Sequence, residues 1–217
     1  MNMVTKGLLA ATALVTLPSV AQATVVVSNV NISVPNNIDG VYINLVTGAT
    51  GSSSAVVSGY DLNVYNNGAG LTFYGPASPS GILVAAIATP ATLSVALDLA
   101  PGTVIGSSGT YNQFQNVGTL FQVAGNHILG FRFQNESTGA LNYAYARITT
   151  ATGTGTSLGF PATITQLVYE NSGAALTVAA VGAVPEPTTW AMLIGGFGVL
   201  GATMRRRATV TTKATFA

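Results

Sequence analysis

The 217-residue chain has no cysteine, a single histidine and a single tryptophan. The missing thiol excludes disulfides, thiolate metal sites and cysteine nucleophiles together. With one histidine and no thiol, a zinc site lacks its ligands, and neither a metal nor a cofactor is expected. Charge is equally scarce: Asp, Glu, Lys and Arg make up 6% of the residues, far below the usual quarter. The formal net charge of +1 hides an uneven distribution. Lys6 lies near one end, and Arg205, Arg206, Arg207 and Lys213 near the other. Over residues 24–184 Arg132 and Arg147 stand against Asp39, Asp61, Asp98, Glu136 and Glu170, two positive against five negative, or −3. A mildly acidic body has no electrostatic footprint for nucleic acid, and that partner is excluded.

Low charge combined with 48% hydrophobic residues and abundant Val, Thr and Gly argues against ordinary disorder, which goes with high net charge. At the N-terminal end Lys6 is followed by an apolar run over residues 8–17, then Pro18 as a breaker and Ala21-Gln22-Ala23. This is the layout of a secretory signal peptide, residues 1–23, with small residues at the cleavage positions Ala21 and Ala23. Passage through the Sec translocon and cleavage after Ala23 are expected.

The stretch around which the chain is organised lies near the other end. Pro185 and Pro187 bracket Glu186 and hold the backbone extended, while Pro187 can occupy the first turn of a following helix. Residues 190–204 are 15 residues without a charge, four of them glycine. As a helix they span about 22 Å, a short membrane crossing against a hydrocarbon core of about 30 Å. Trp190 suits an interfacial anchor, and Arg205, Arg206 and Arg207 suit a cytoplasmic stop-transfer end. Gly198 and Ala202 form a small-xxx-small face. The competing reading, a buried core helix, leaves the arginine triplet unexplained.

Pro185-Glu186-Pro187, two spacer residues, Trp190-Ala191, the short Gly-rich helix and the arginines together resemble the PEP-CTERM sorting signal in its PEPxxWA variant. The resemblance implies an exported protein of a Gram-negative bacterium, handled by an exosortase, an integral membrane cysteine transpeptidase. That enzyme would cut near Pro-Glu-Pro and release or re-attach the body at the cell surface. The chain departs from the pattern in continuing for ten residues after the arginines, 208–217, a Thr-rich polar tail.

Residues 24–182 form the body. Alternation over 24–34 sets Val26, Ser28, Val30, Ile32 and Val34 against Val25, Val27, Asn29, Asn31 and Ser33, the period of a strand. Asp39-Gly40 reads as a turn, 41–46 as a strand, 48–54 as a loop, and 60–65 with 71–74 as a pair of strands joined at Asn66-Asn67-Gly68. Residues 75–81 are a proline loop, 82–99 leave helix and buried strand open, 107–118 read as loop, and 119–123 as a weak strand. Leu129, Phe131 and Phe133 alternate with Gly130, Arg132 and Gln134 as a half-buried strand. A five-residue hairpin loop, 135–139, leads into an antiparallel strand over 141–148. A Gly/Thr loop over 153–161 precedes a strand over 162–170. The expected fold is all-β: an antiparallel β-sandwich or jelly-roll-like body, with an N-terminal signal-peptide helix and one short C-terminal transmembrane helix.

No catalytic constellation is legible. His127 reads as a solvated histidine at a strand entrance, with no nucleophile elbow for it to serve. The five body acids show no close pair of the kind a glycosidase needs, and Asp39 and Asp61 read as turn and strand-end residues. Arg132 and Arg147, on neighbouring strands, are expected in ion pairs with Glu136 and Glu170. The eight tyrosines read as strand packing. The function these readings support is an exported, exosortase-sorted envelope or extracellular-matrix protein, non-enzymatic and associated with exopolysaccharide in a biofilm. It would be anchored transiently in the membrane and then lie at the cell surface or outside. A polysaccharide-binding module and a secreted glycoside hydrolase are the alternatives.

Overall fold

The computed structural model describes residues 24–85, 95–113, 119–180 and Phe197. The chain divides into two compact units, Met1–Val178 and Ala179–Ala217. The first is all-β and antiparallel, with twelve strands among the described residues: β1 (Val25–Val34), β2 (Val41–Ile43), β3 (Thr50–Gly51), β4 (Leu62–Asn66), β5 (Leu71–Tyr74), β6 (Gly81–Leu83), β7 (Val104–Ile105), β8 (Tyr111–Asn112), β9 (Gly125–Gln134), β10 (Leu141–Thr150), β11 (Ala162–Glu170) and β12 (Leu176–Thr177). They make a six-stranded sheet in the order β1-β11-β10-β9-β6-β8, a four-stranded sheet β3-β2-β4-β5, and a two-stranded β12-β7. The signal-peptide helix and the C-terminal transmembrane helix fall outside the described residues.

The six- and four-stranded sheets share one core. Val41, Ile43, Leu62, Val64, Leu71 and Phe73 from the smaller sheet join Leu129, Phe131, Phe133, Ala144, Ala146, Ile148 and Ile164 from the larger. These are alternate positions, as a pleated strand with one inward face requires. In β11 the alternation would fail without a correction, because Ile164 and Leu167 both enter this core although they lie three positions apart. A register shift against β10 supplies it: Arg147 pairs with Gln166 and Ile148 with Ile164, leaving Thr165 as the extra residue. Such a bulge restores the inward face beyond it.

A second core lies on the opposite face of the large sheet, where Ile128, Tyr143, Tyr145 and Val168 meet Leu83, Leu99, Ile105, Leu176 and Val178. The middle of β9 is therefore buried on both faces, not half-buried as its alternation suggests. The aliphatic cover comes from Leu83, Leu99 and the short strands β7 and β12, which cannot be read from β9 itself. Gly130 shows how close that cover is. A Cβ there would lie 2.7 Å from Leu99 Cδ1, 3.1 Å from Leu83 Cδ2 and 3.3 Å from Ile105 Cδ1.

Four local readings change. The strand expected over 41–46 stops at Ile43, because Asn44 Oδ1 accepts from the Thr47 N–H at 2.8 Å and turns the chain. The loops expected over 48–54 and 107–118 contain the two-residue strands β3 and β8. The segment expected as a weak strand is a 3-10 helix, Thr119–Gln122. There Leu120 and Val123 are exposed while Phe121 is buried, a spacing of three that suits a 3-10 turn. Phe121 stands edge-on to Phe73, with ring centroids 4.8 Å apart. Within the open region 82–99, β6 ends at Leu83 and Val84 bridges to Ala96.

Candidate functional site

Two polar clusters sit in the body, and each is built from residues far apart in the chain. In the first, Asn44 and Asp61 follow and precede strands of the four-stranded sheet, and Glu136 lies in the β9–β10 hairpin. Asn44, fully buried, donates through Nδ2 to Gly59 O at 2.8 Å, to Ser58 O at 3.2 Å and to Glu136 Oε1. Asp61, 3% exposed, accepts the Leu45 N–H on Oδ2 at 2.7 Å. Burial pushes the Asp61 carboxyl up to about 7; the Leu45 N–H opposes that shift and the nearby Glu136 charge adds to it. Two acids that show no proximity in sequence thus converge, which corrects the reading of scattered carboxylates. Asp61 does serve a strand end, as read, but from the interior. A near-neutral acid beside a second carboxylate is the electrostatic arrangement of a general acid. Here Asp61 Oδ2 and Glu136 Oε1 each hold a partner inside the fold.

The second cluster surrounds His127, which is 7% exposed. Its Nδ1 lies 2.7 Å from Asp98 Oδ2 and its Nε2 lies 3.2 Å from Val123 O, and the Phe121 ring packs 5.2 Å away. Asp98 Oδ1 accepts the Ile128 N–H at 2.8 Å. The histidine expected in solvent is an interior residue of β9. The inward alternation of Leu129, Phe131 and Phe133, extended two residues upstream, reaches His127 and was the available signal. Nothing in the sequence signals Asp98, 29 residues away. Both ring nitrogens face acceptors inside the fold, Asp98 Oδ2 and Val123 O. A general base needs a nitrogen aimed at its nucleophile, and this one is aimed at a main-chain carbonyl.

Arg132 and Arg147 lie on the second-core face. Arg132 Cζ lies 4.3 Å from the Tyr111 ring centroid, a cation–π geometry where an ion pair was expected. Tyr111 is in turn pushed up to about 12, chiefly by burial. Arg147 Cζ lies 5.5 Å from the Tyr145 centroid, and its Nε donates to Gln166 Oε1 at 3.0 Å. Among the described residues no group of three or more His, Asp or Glu side chains could hold a metal ion.

Apart from Tyr169, which packs against the shared core, the tyrosines divide between two environments. Tyr143 and Tyr145 belong to the second core, in line with packing. Tyr42, Tyr65 and Tyr74 occupy the positions alternate to the inward residues of β2, β4 and β5, on the outer face of the four-stranded sheet. Tyr42 and Tyr74 flank Asn63 in register. Tyr60 stands edge-on to Tyr42 at 4.9 Å. Asn63 is 3% exposed and its Oδ1 has no hydrogen-bond partner.

The residues singled out for sorting lie outside the described residues: Ala21 and Ala23, Pro185, Glu186, Pro187, Trp190 and Ala191, and Arg205, Arg206 and Arg207. Within that stretch Phe197 alone is described; it is helical and 66% exposed. Among the described residues no helix is long and apolar enough to cross a membrane. Residues 183–207 match the family described as the PEP-CTERM protein-sorting motif. The chain therefore carries a sorting motif whose family implies processing by exosortase, with export and sorting to the cell surface. No curated protein and no solved structure matches the chain.

Proposed function

We propose that this is a non-enzymatic protein of the cell envelope or extracellular matrix, held briefly in the membrane by the helix over 190–204 and then placed by exosortase among exopolysaccharide at the surface. The sorting motif at 183–207 carries this reading. In it the site of chemistry on this chain is a substrate site: Pro185, Glu186 and Pro187 are read and cut by another enzyme. A stiff elbow between two prolines presents the peptide bond, and the arginines hold the helix in place while the cut is made. The finer description of the body, a jelly-roll-like β-sandwich, rests on the shared core of its two larger sheets.

The non-enzymatic reading is supported by how the acids and the histidine are engaged. His127 is spent on Asp98 and Val123 O, and Asp61 and Asn44 brace the turn after β2 and the hairpin after β9. A second reading, a polysaccharide-binding module, is favoured by one observation: Tyr42, Tyr60, Tyr65 and Tyr74 gather at one sheet face around the unpartnered Asn63 Oδ1. Replacing Glu186 by Ala in the native host tests the first reading. The C-terminal fragment is expected to stay attached and the body to stay with the membrane fraction; unchanged processing and release contradict it. Retention on the host's own exopolysaccharide, lost on Tyr42→Ala, tests the second.

A further inference from the structure

We propose that β1 is a self-association edge, through which two copies of this protein join their six-stranded sheets into one continuous antiparallel sheet. The inference goes beyond the sorting reading, since the contact uses neither the motif nor a glycan. Its starting point is the sheet order, in which β1 is terminal. Among the described residues one edge of β1 pairs with β11 and no strand takes the other. An open strand edge presents a row of main-chain donors and acceptors to any strand that can reach it.

Folds blunt such edges by making them short, by charge or proline, or by a bulge. The far edge of the same sheet, β8, and the edge β3 of the smaller sheet are each two residues long. β1 is ten residues long and contains neither proline nor a charged residue. Its one irregularity is a register shift between Asn29 and Ile32, which bends only its second half. Residues 25–29 remain regular, paired one to one with β11 from Val25–Glu170 to Asn29–Gln166. Two of the exposed large hydrophobic side chains of the protein, Val25 and Val27 at 43% each, fall on this regular stretch.

A second copy of β1 is the occupant that fits. An antiparallel pair related by a two-fold axis at Val27 sets Val27 against its own copy, Val25 against Asn29 and Val26 against Ser28. Every position then meets one of the same parity, so inward stays inward and outward stays outward. β-branched residues face each other at the centre, which favours cross-strand packing. No like charges meet, because the strand has none. A five-residue contact is smaller than the roughly 1,200 Å² of a stable interface. The pairing is therefore weak, and it gains from the crowding of copies on one surface.

The absence of cysteine from the chain makes the test clean. Facing residues of an antiparallel pair have Cα atoms about 4.5–5.5 Å apart, within disulfide reach. Val25→Cys, Val27→Cys and Asn29→Cys are expressed singly in the native host, with Val56→Cys, 69% exposed and outside the strands, as the collision control. Whole cells are treated with a mild oxidant, and the disulfide-linked dimer is measured by its mass. Val27→Cys is expected to dimerise several-fold more than the control, and Val25→Cys and Asn29→Cys little. Adding Val25→Lys to Val27→Cys is expected to suppress the dimer. Preferential dimerisation through position 25 or 29 supports the β1 edge with a shifted two-fold. The proposal is overturned if none of the three exceeds Val56→Cys, or if Val25→Lys leaves the Val27→Cys dimer unchanged.

Discussion

The β body and the stretch over 183–207 encode their roles in different ways. The body depends on residues brought together from across the chain: Asp98 with His127, Asn44 with Glu136, Gly130 under three aliphatic tips from separate segments. The sorting stretch depends on residue types in linear order, which a membrane enzyme can read without a fold. Damage to the two should therefore separate. Substitutions in the body should change stability and leave processing intact, while substitutions at Glu186 should change processing and leave the fold intact.

The largest effect is expected in the shared core. Phe133 is fully buried and stands edge-on to Tyr169 at 5.6 Å, so Phe133→Ala should lower unfolding stability by about 3–5 kcal/mol. Chemical denaturation checks the loss. If the folded fraction of that variant is no longer processed at Glu186, the separation between body and tail breaks.

Next in size is the pH response of Asp61. Its carboxyl is raised from 3.8 to about 7 by burial, so the folded state binds a proton that the unfolded state releases between those values. The contribution is complete below about pH 4 and is lost as pH rises through about 7, on the order of 4 kcal/mol. Asp61→Asn keeps an oxygen for the Leu45 N–H and removes the titration, so it should flatten stability over that window. A slope that survives the substitution assigns it elsewhere.

Gly130→Ala should cost about 1–3 kcal/mol by overpacking the second core, measurable as a drop in Tm. The smallest effect is expected on the second-core face of the large sheet: Arg132→Gln keeps a long polar side chain but loses the attraction to the Tyr111 ring, about 0.5–1 kcal/mol. A loss well above that would mean that Arg132 holds more than Tyr111.

How much of this could be read beforehand follows the same division. The alternation of 24–34, the hairpin around Asn66-Asn67-Gly68 and the three long strands over 125–170 were legible because each is set by neighbours in sequence. The end of β2 was missed because a side chain, Asn44, takes over the hydrogen bonding there, and 119–122 because Phe121 is drawn into a core supplied by other segments. The burial of His127 was half legible, from the inward period it shares with Leu129. The convergence of Asp61 and Glu136 was not, since 75 residues separate them and the topology alone brings them together. The gathering of four tyrosines at one sheet face was hidden for the same reason.

The intact mass of the protein recovered from the surface of its native host tests the sorting account most directly. The account predicts a chain that begins at Thr24 and ends close to Pro185-Glu186-Pro187, without the mass of the apolar run over 190–204 and of Arg205, Arg206 and Arg207. A surface-exposed protein that still carries those arginines would contradict it.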